Sequence, residues 1–265
     1  FYSMQRHRIW AIILRHLLFF RKNLDYLTGI FYWPVINLLL WGLASEYFEA
    51  RFAVGGSTIV FAIVSGIIFW MIAERAEFEF TFGILQELWD KNLVNLFATP
   101  LKFSEWVVAF LLLAIFKGMF TFVFSAVVAM VLYDARVFEF GLLILPFAIL
   151  LIMTGWWIGA LIAGLVLRYG TRVQALAWTV PALIAPFSAI YYPVSILPEW
   201  AQKIAYLLPT TYVFEGMRDV LARGVMDYQK LLVSVLLNVL YLAAGFFFLA
   251  ISFKKAKQKG LAKVY

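Results

Sequence analysis

The chain has 265 residues, of which 65% are hydrophobic and 14% are charged. A soluble globular domain is about half apolar and about a quarter charged, so this composition excludes an ordinary water-soluble fold. The net charge of +7 comes largely from Lys and Arg beside apolar stretches, which indicates anionic lipid rather than nucleic acid as the partner. We predict one all-α membrane domain over residues 1–265. The chain lacks cysteine, and we predict no metal site.

The N-terminal segment, residues 3–25, interleaves basic and apolar residues. This pattern predicts an amphipathic helix that lies flat on an anionic leaflet, and the alternative is a frayed cytoplasmic tail. We expect His7 and His16 on this segment to be solvated. Because the sequence begins with Phe1 rather than Met, we expect the natural chain to begin upstream, and we expect no cleavable signal peptide.

Six apolar stretches follow, each near or above the ~20 residues that cross a bilayer, with the second and fifth marginal. They run over residues 27–44, 58–73, 106–133, 142–167, 173–192 and 231–253. With both termini in the cytoplasm, the inner segments hold 15 Lys and Arg residues and the outer segments hold 6. The positive-inside rule therefore predicts six transmembrane helices with cytoplasmic termini.

The segment after the second span is charged, and residues 83–97 within it have helical amphipathic spacing. We predict a cytoplasmic helix that ends before Thr99 and Pro100, because proline disfavours helix in the residue before it. Either this helix lies on the inner leaflet or it binds a protein. An anionic leaflet would repel Glu74, Glu77 and Glu79, which favours a protein partner on the cytoplasmic side.

The connection between the fifth and sixth spans, residues 194–224, is too apolar for an open loop and too broken by proline to cross the membrane. A re-entrant or interfacial helical hairpin fits both properties. We expect it to cap the outer side of the protein.

Lys117 lies near the middle of the third span, where a lysine costs roughly 2.5–3.5 kcal/mol on insertion scales. It is a candidate to meet an anionic group in a substrate pathway. The alternatives are a lysine that snorkels, or one that pairs with a carboxylate such as Glu105 on a neighbouring chain. The aromatic pathway candidates are Trp70, Tyr191 and Tyr192, and the alternative for them is an interfacial aromatic belt.

Two motifs resemble one known family over essentially the whole chain. The first is Ala98-Thr99-Pro100-Leu101 after a charged amphipathic helix. The second is Pro193-Val194-Ser195-x-Leu197-Pro198-Glu199-Trp200, followed by Pro209 and by Glu215-Gly216-x-Arg218. Together they are similar to the permease subunit of ABC-2-type exporters.

The resemblance implies that two permeases pair, which we expect to be a homodimer, and that each binds a separate ABC ATPase. Residues 83–97 would be the coupling helix on the ATPase. Its expected contact residues are Glu87, Leu88, Asp90 and Lys91. The expected outer-hairpin residues are Pro198, Trp200, Glu215 and Arg218. A prokaryotic inner membrane is the location that the family implies.

The sequence has no Gly-x-x-x-x-Gly-Lys-Ser/Thr phosphate loop. We therefore expect no catalysis and no cofactor on this chain itself, with ATP and Mg on the partner ATPase. The expected substrate is a glycan, a lipid or an amphipathic drug. An ion-coupled secondary transporter and a membrane-embedded transferase are the alternative functions.

Overall fold

The computed structural model describes residues 4–20, 27–52 and 58–260, and these ranges are helical with no β-strand. The α-helices are α1 Arg6–Phe20, α2 Trp33–Phe52, α3 Thr58–Trp89, α4 Leu93–Ala98, α5 Phe103–Tyr133, α6 Ile144–Tyr169, α7 Leu176–Ile184, α8 Glu199–Ala205, α9 Pro209–Arg223 and α10 Tyr228–Lys259. Short segments of π- or 3₁₀-helix lie at Thr28–Tyr32, Val137–Leu143, Gly170–Val173, Ala185–Phe187 and Val194–Ile196.

Four helical stretches of the described residues are long and apolar enough to cross a membrane. They are Thr28–Arg51, Phe103–Tyr133, Val137–Val173 and Tyr228–Lys259. They correspond to the first, third, fourth and sixth predicted spans.

The structure differs from the prediction at the second and fifth spans. The apolar stretch 58–73 is the first half of α3, which continues as one 32-residue helix of about 48 Å because no proline interrupts residues 58–99. The stretch 173–192 contains α7 and the turn Ala185–Phe187, which together form a short apolar helix over Leu176–Phe187. Its twelve residues reach about 20 Å, which is less than the ~30 Å of hydrocarbon in a bilayer.

The segment predicted as one helix over 83–97 is divided between the end of α3 and α4 by a tight turn. The amide of Asn92 donates to the carbonyl of Glu87 (2.8 Å), and the amide of Lys91 donates to the carbonyl of Leu88 (3.0 Å). These two bonds make a Schellman cap on α3. Lys91 has a φ of 52°, where glycine is the usual residue, so the sequence gives no sign of the break.

Helix α3 is at the centre of the bundle and packs against α2, α5 and α6, while α6 also packs along α10. Helices α3 and α6 approach each other closely at Gly155 and Gly159 of α6. A Cβ on Gly155 would lie 2.3 Å from the carbonyl oxygen of Ala73, and one on Gly159 would lie 2.8 Å from Cβ of Phe80. Only residues without a side chain allow the two backbones to come this close.

Helix α1 packs along α5 through Ile9, Ile12 and Ile13, and exposes Trp10 and Leu14 on its opposite side. An amphipathic helix is thus present within the predicted bounds 3–25. Residues 3 and 21–25 lie outside the described part of the chain.

The predicted hairpin over 194–224 forms two helices, α8 and α9, after the turn Val194–Ile196. Helix α9 packs against α10 and α6, and buries Val213, Phe214 and Met217. The turn and α8 expose large apolar side chains, including Ile196 and Trp200.

We predict that Gly155→Ala destabilises the protein by about 1–3 kcal/mol, because the new methyl group overlaps the α3 backbone. The matched control is Gly118→Ala in α5, where the nearest atom to the added Cβ is 3.8 Å away. Thermal unfolding of the detergent-purified proteins measures both changes. A Gly155→Ala protein that melts like the control would contradict the packing described for α3 and α6.

Candidate functional site

The turn between α3 and α4, with the first residues of α4, forms an exposed tip on the bundle. We define this tip surface by Trp89, Asp90, Lys91, Val94 and Asn95, all of which are exposed. It combines an indole, an aliphatic side chain and two opposite charges. Such a mixed surface is suited to binding another protein rather than hydrocarbon.

The other two predicted contact residues, Glu87 and Leu88, are buried beneath the tip surface. Glu87 pairs with Arg15 of α1 (2.9 Å) and accepts a hydrogen bond from the side-chain amide of Asn92 (2.7 Å). Of the predicted set, Asp90 and Lys91 are therefore presented at the surface, while Glu87 and Leu88 support the turn from within.

Helix α1 is fastened to the same end of the bundle at a second place. The buried carboxylate of Glu105 accepts a hydrogen bond from the amide of Gln5 (2.9 Å) and lies 3.6 Å from the guanidinium of Arg8. Arg8 also donates to the carbonyl of Pro100, just after α4. Glu105 is thus a partner of α1 within the same chain.

His16 of α1 is buried against the ring of Phe110 of α5, at 4.8 Å between centroids, whereas His7 is exposed. The expectation that both histidines are solvated is wrong for His16, because it shares one face with Ile9, Ile12 and Ile13. Burial lowers the pKa of His16 from 6.5 to about 4, so the ring is neutral at pH 7.

Lys117 is buried and paired rather than isolated. Its ammonium lies 2.6 Å from one carboxylate oxygen of Glu79, and the guanidinium of Arg75 lies 2.6 Å from the other oxygen. The three side chains are almost fully buried. Glu79 therefore bridges two cations and joins α3 to α5.

A cavity of about 440 Å³ lies between the start of α2, the middle of α3, α5 and α7. Its polar lining includes Glu74, Arg75, Glu77 and Thr121. Its aromatic lining is Trp33, Phe78, Phe82 and Trp178. The two indoles are exposed, Trp33 at 57% and Trp178 at 50%, so the cavity opens to the surface beside them.

Two carboxylates of this cavity accept hydrogen bonds from neutral donors. Glu74 accepts from the indole of Trp70 (2.6 Å) and Glu77 accepts from the hydroxyl of Thr81 (2.5 Å). Among the described residues no cation lies within 4.0 Å of either carboxylate.

None of the four predicted pathway residues lines this cavity. Trp70 and Lys117 are buried between helices. Tyr191 stacks on Trp41 at 4.5 Å, and the hydroxyl of Tyr192 donates to the carbonyl of Pro186. Trp70 is connected to the cavity through its hydrogen bond to Glu74.

Two of the predicted hairpin residues fasten the hairpin to the bundle. The carboxylate of Glu215 accepts a hydrogen bond from the amide of Val194 (3.0 Å) and pairs with Arg218 (3.3 Å). Arg218 donates to the carbonyls of Ala189 and Ile190. Pro198 precedes the first residue of α8, and Trp200 on α8 is exposed.

The prediction that Glu74, Glu77 and Glu79 follow the second span as a cytoplasmic segment is wrong, because these residues lie on α3 within the bundle. Two signals were available: the lack of proline over residues 58–99, and the helical spacing of Arg75 and Glu79. Among the described residues, no cluster of three His, Asp or Glu side chains could hold a metal ion.

Comparison with known proteins gives one family. The model for the ABC-2 type transporter family matches residues 7–222, which include the tip surface, the cavity and most of the hairpin. A search of curated proteins gives no significant match.

We predict that Glu79→Gln destabilises the protein more than Lys117→Gln. The first change leaves two buried cations without their carboxylate, whereas the second leaves Glu79 paired with Arg75. Breaking a buried pair costs about 3–5 kcal/mol. The control Glu139→Gln, in an exposed pair with Arg136, should change stability by less than about 0.5 kcal/mol. Thermal unfolding in detergent gives the order of stability of the variants. A Lys117→Gln protein that is less stable than Glu79→Gln would refute the bridging role of Glu79.

We also predict that α1 docks less tightly in acid. The lowered pKa of His16 means that the folded state resists protonation of this side chain. The free energy that neutral His16 contributes to the docking of α1 is therefore complete above pH 6.5 and is lost as the pH falls toward 4. The loss amounts to at most about 3 kcal/mol. Proteolysis of α1 between pH 7 and 4 measures it. His16→Leu should remove this part of the pH dependence, and an unchanged profile would contradict the burial of His16.

Proposed function

Because the chain belongs to the ABC-2 type transporter family, we propose that it is the membrane subunit of an ATP-driven exporter. Family membership makes it the permease of an ABC transporter and a multi-pass membrane protein, and implies an ABC ATPase as partner. The proposal adds the direction of transport, a homodimer of permeases and the place where the ATPase binds. ATP and Mg would be bound by the ATPase.

The observation that carries the proposal is the tip surface and its support. An element that receives force from a partner must be exposed and also rigidly joined to the membrane helices. The cap on α3 and the ion pair between the buried Glu87 and Arg15 meet the second condition. We assign ATPase binding to Asp90, Lys91 and Val94, with Glu87 and Leu88 holding the turn in place.

Six crossings with cytoplasmic termini are the topology that we propose. Helix α3 would be the second crossing, shielded from lipid by α2, α5 and α6. Helix α7 would enter the membrane from the cytoplasmic side, and the rest of the fifth crossing would be completed by the following turns and the hairpin of α8 and α9. The excess of Lys and Arg on the inner segments supports this orientation, and a prokaryotic inner membrane is the proposed location.

A second copy of the chain would pack beside α2. This helix exposes apolar residues at spacings of three and four, which form one stripe along it: Trp33, Ile36, Leu40, Leu43 and Tyr47. The mouth of the cavity lies at Trp33, at one end of this stripe. A pathway between the two copies would then be continuous with the cavity. The exposed face of α1, with Trp10, Leu14 and Leu18, would rest on lipid.

An ion-coupled transporter is the second candidate. The buried charges on α3 and Lys117 favour it, since ionisable residues within membrane helices commonly mark ion pathways. The two candidates differ in their energy source. Transport by proteoliposomes that requires ATP and the ATPase supports the exporter, whereas transport by this chain alone under an ion gradient supports the second candidate.

We predict that Val94→Glu abolishes capture of the ATPase from the native membrane and lowers vanadate-sensitive ATP hydrolysis in the eluate at least about tenfold. Val94 is part of the tip surface, and a buried interface does not accept an unpaired carboxylate. The matched control is Val225→Glu, an exposed valine between α9 and α10. Equal ATPase capture by the two variants would refute the assignment of the tip surface, provided both proteins melt like the parent.

A further inference from the structure

We propose that the cavity between α2, α3, α5 and α7 binds an organic cation, a positively charged centre that carries apolar groups, as the transported substrate. The inference rests on the proposed exporter function and adds the chemical class of the substrate. It is carried by the charges, the aromatic walls and the volume of the cavity.

The acidic and basic side chains on this part of α3 do not pair off within the described residues. Glu74, Glu77 and Glu79 lie near two described cations, Arg75 and Lys117, and both of these pair with Glu79. Glu74 and Glu77, which line the cavity, are left with neutral donors. Taking a carboxylate out of water is costly unless a cation compensates it. A cationic ligand in the cavity would supply that charge.

Arg75 also lines the cavity but does not make the charge of the cavity positive. Its guanidinium is held 2.6 Å from Glu79 and lies 5.2 Å from the ring centroid of Phe78. Its charge is therefore already engaged by a carboxylate and by an aromatic face. The carboxylates of Glu74 and Glu77 thus determine the charge that the cavity presents to a ligand.

The aromatic lining provides the second half of a cation site. Phe78 and Phe82 are stacked with their centroids 3.7 Å apart, and Phe82 meets Trp178 edge-on at 5.4 Å. With Trp33, these rings line the same cavity as the carboxylates of Glu74 and Glu77. Aromatic faces attract cations, and indole does so most strongly. The rings also offer contact to the apolar groups of such a ligand.

Thr121 gives an independent sign that the cavity is built for a ligand. Its hydroxyl is buried, lines the cavity and has no hydrogen-bond partner within the described residues. Buried hydroxyls are usually satisfied, so an unpaired one beside a cavity indicates a missing partner. A polar group on the ligand, or a water molecule that the ligand retains, would supply the missing hydrogen bond to the Thr121 hydroxyl.

The cavity volume sets the size of the ligand. About 440 Å³ is within the range of roughly 300–1,000 Å³ for sites that bind drug-sized molecules. A long glycan would not fit within it. The cavity therefore favours a small amphipathic cation over the glycan and neutral-lipid alternatives.

The test is binding of radiolabelled tetraphenylphosphonium to the full chain in lipid nanodiscs, without ATPase. This probe carries a permanent positive charge inside four phenyl groups. Tetraphenylborate, which has nearly the same shape and the opposite charge, is the matched control and is measured in separate samples, because the two ions associate when mixed. We expect saturable phosphonium binding with one site per chain and no saturable binding of tetraphenylborate. Equal binding of both ions, or no saturable binding of the phosphonium, would overturn the proposal.

Two kinds of variant locate the site. Glu77→Gln keeps the shape of the side chain and should weaken phosphonium binding at least about tenfold, because it removes one uncompensated charge. Glu139→Gln is the control, because Glu139 is exposed outside the cavity and has its own cation in Arg136. Unchanged binding by Glu77→Gln would place the bound cation elsewhere.

Trp178→Ala tests the aromatic wall without touching the buried charges, so it remains informative if Glu77→Gln folds poorly. It should weaken binding several-fold, and Trp178→Phe should restore part of the loss. Binding by Trp178→Ala that equals that of the parent would refute the aromatic contribution.

Transport by proteoliposomes with the ATPase separates this inference from the exporter function. ATP-driven transport of another solute, insensitive to tetraphenylphosphonium, would overturn the cation site and leave the exporter standing. Saturable phosphonium binding that depends on Glu77, in a complex that ATP does not drive, would overturn the exporter and retain the site.

Discussion

The burial of charge along α3 is the constraint on which the rest of the structure depends. A helix that carries Arg75, Glu77 and Glu79 cannot face hydrocarbon, so other helices must cover it. Glu79 ties α3 to α5 through Lys117, and the two glycines of α6 let α6 lie directly on the α3 backbone. The side toward α7 is less tightly closed because α7 is short. That is where the cavity forms.

The same helix also explains why the tip is rigid. Helix α3 ends in a Schellman cap rather than in a loose loop, and the cap is held from below by Glu87, Asn92 and Arg15. Helix α1 is amphipathic enough to rest on lipid. Its buried face packs against α5, and its Arg15 and Arg8 pair with Glu87 and Glu105. The N-terminal segment is therefore part of the support for the tip surface.

Much of the architecture is predictable from the sequence because a long apolar stretch is a strong indication of a membrane-spanning helix. Four spans, the amphipathic character of α1 and the helical content of the hairpin follow from it. The lack of proline and the spacing of Arg75 and Glu79 are signs that α3 continues past Ala73, but a charged run after an apolar span is more often a solvated loop, and the prediction followed that rule. The sequence does not show the break at Lys91, where a lysine adopts the backbone conformation typical of glycine.

The candidate site is harder to predict because its residues come from four helices. Trp33, Glu77, Thr121 and Trp178 are far apart in the chain, and only the packing of α2, α3, α5 and α7 brings them together. Lys117 stood out as a single mid-span charge, and its partner Glu79 was hidden in an apparent loop. Spacing along one helix cannot reveal a pair that spans two.

Helix α3 also has a mechanical property that follows from its length. It is one uninterrupted rod from Thr58 to Trp89, so a tilt about its Thr58 end moves each residue in proportion to its distance from that pivot. With a rise of about 1.5 Å per residue, Glu77 would travel roughly six-tenths as far as Trp89. The indole of Trp89 donates to Gln174 just before α7, and Phe82 contacts Trp178 on α7. A displacement at the tip would thus act on two walls of the cavity at once, with α3 as the lever and α7 as the element it pulls.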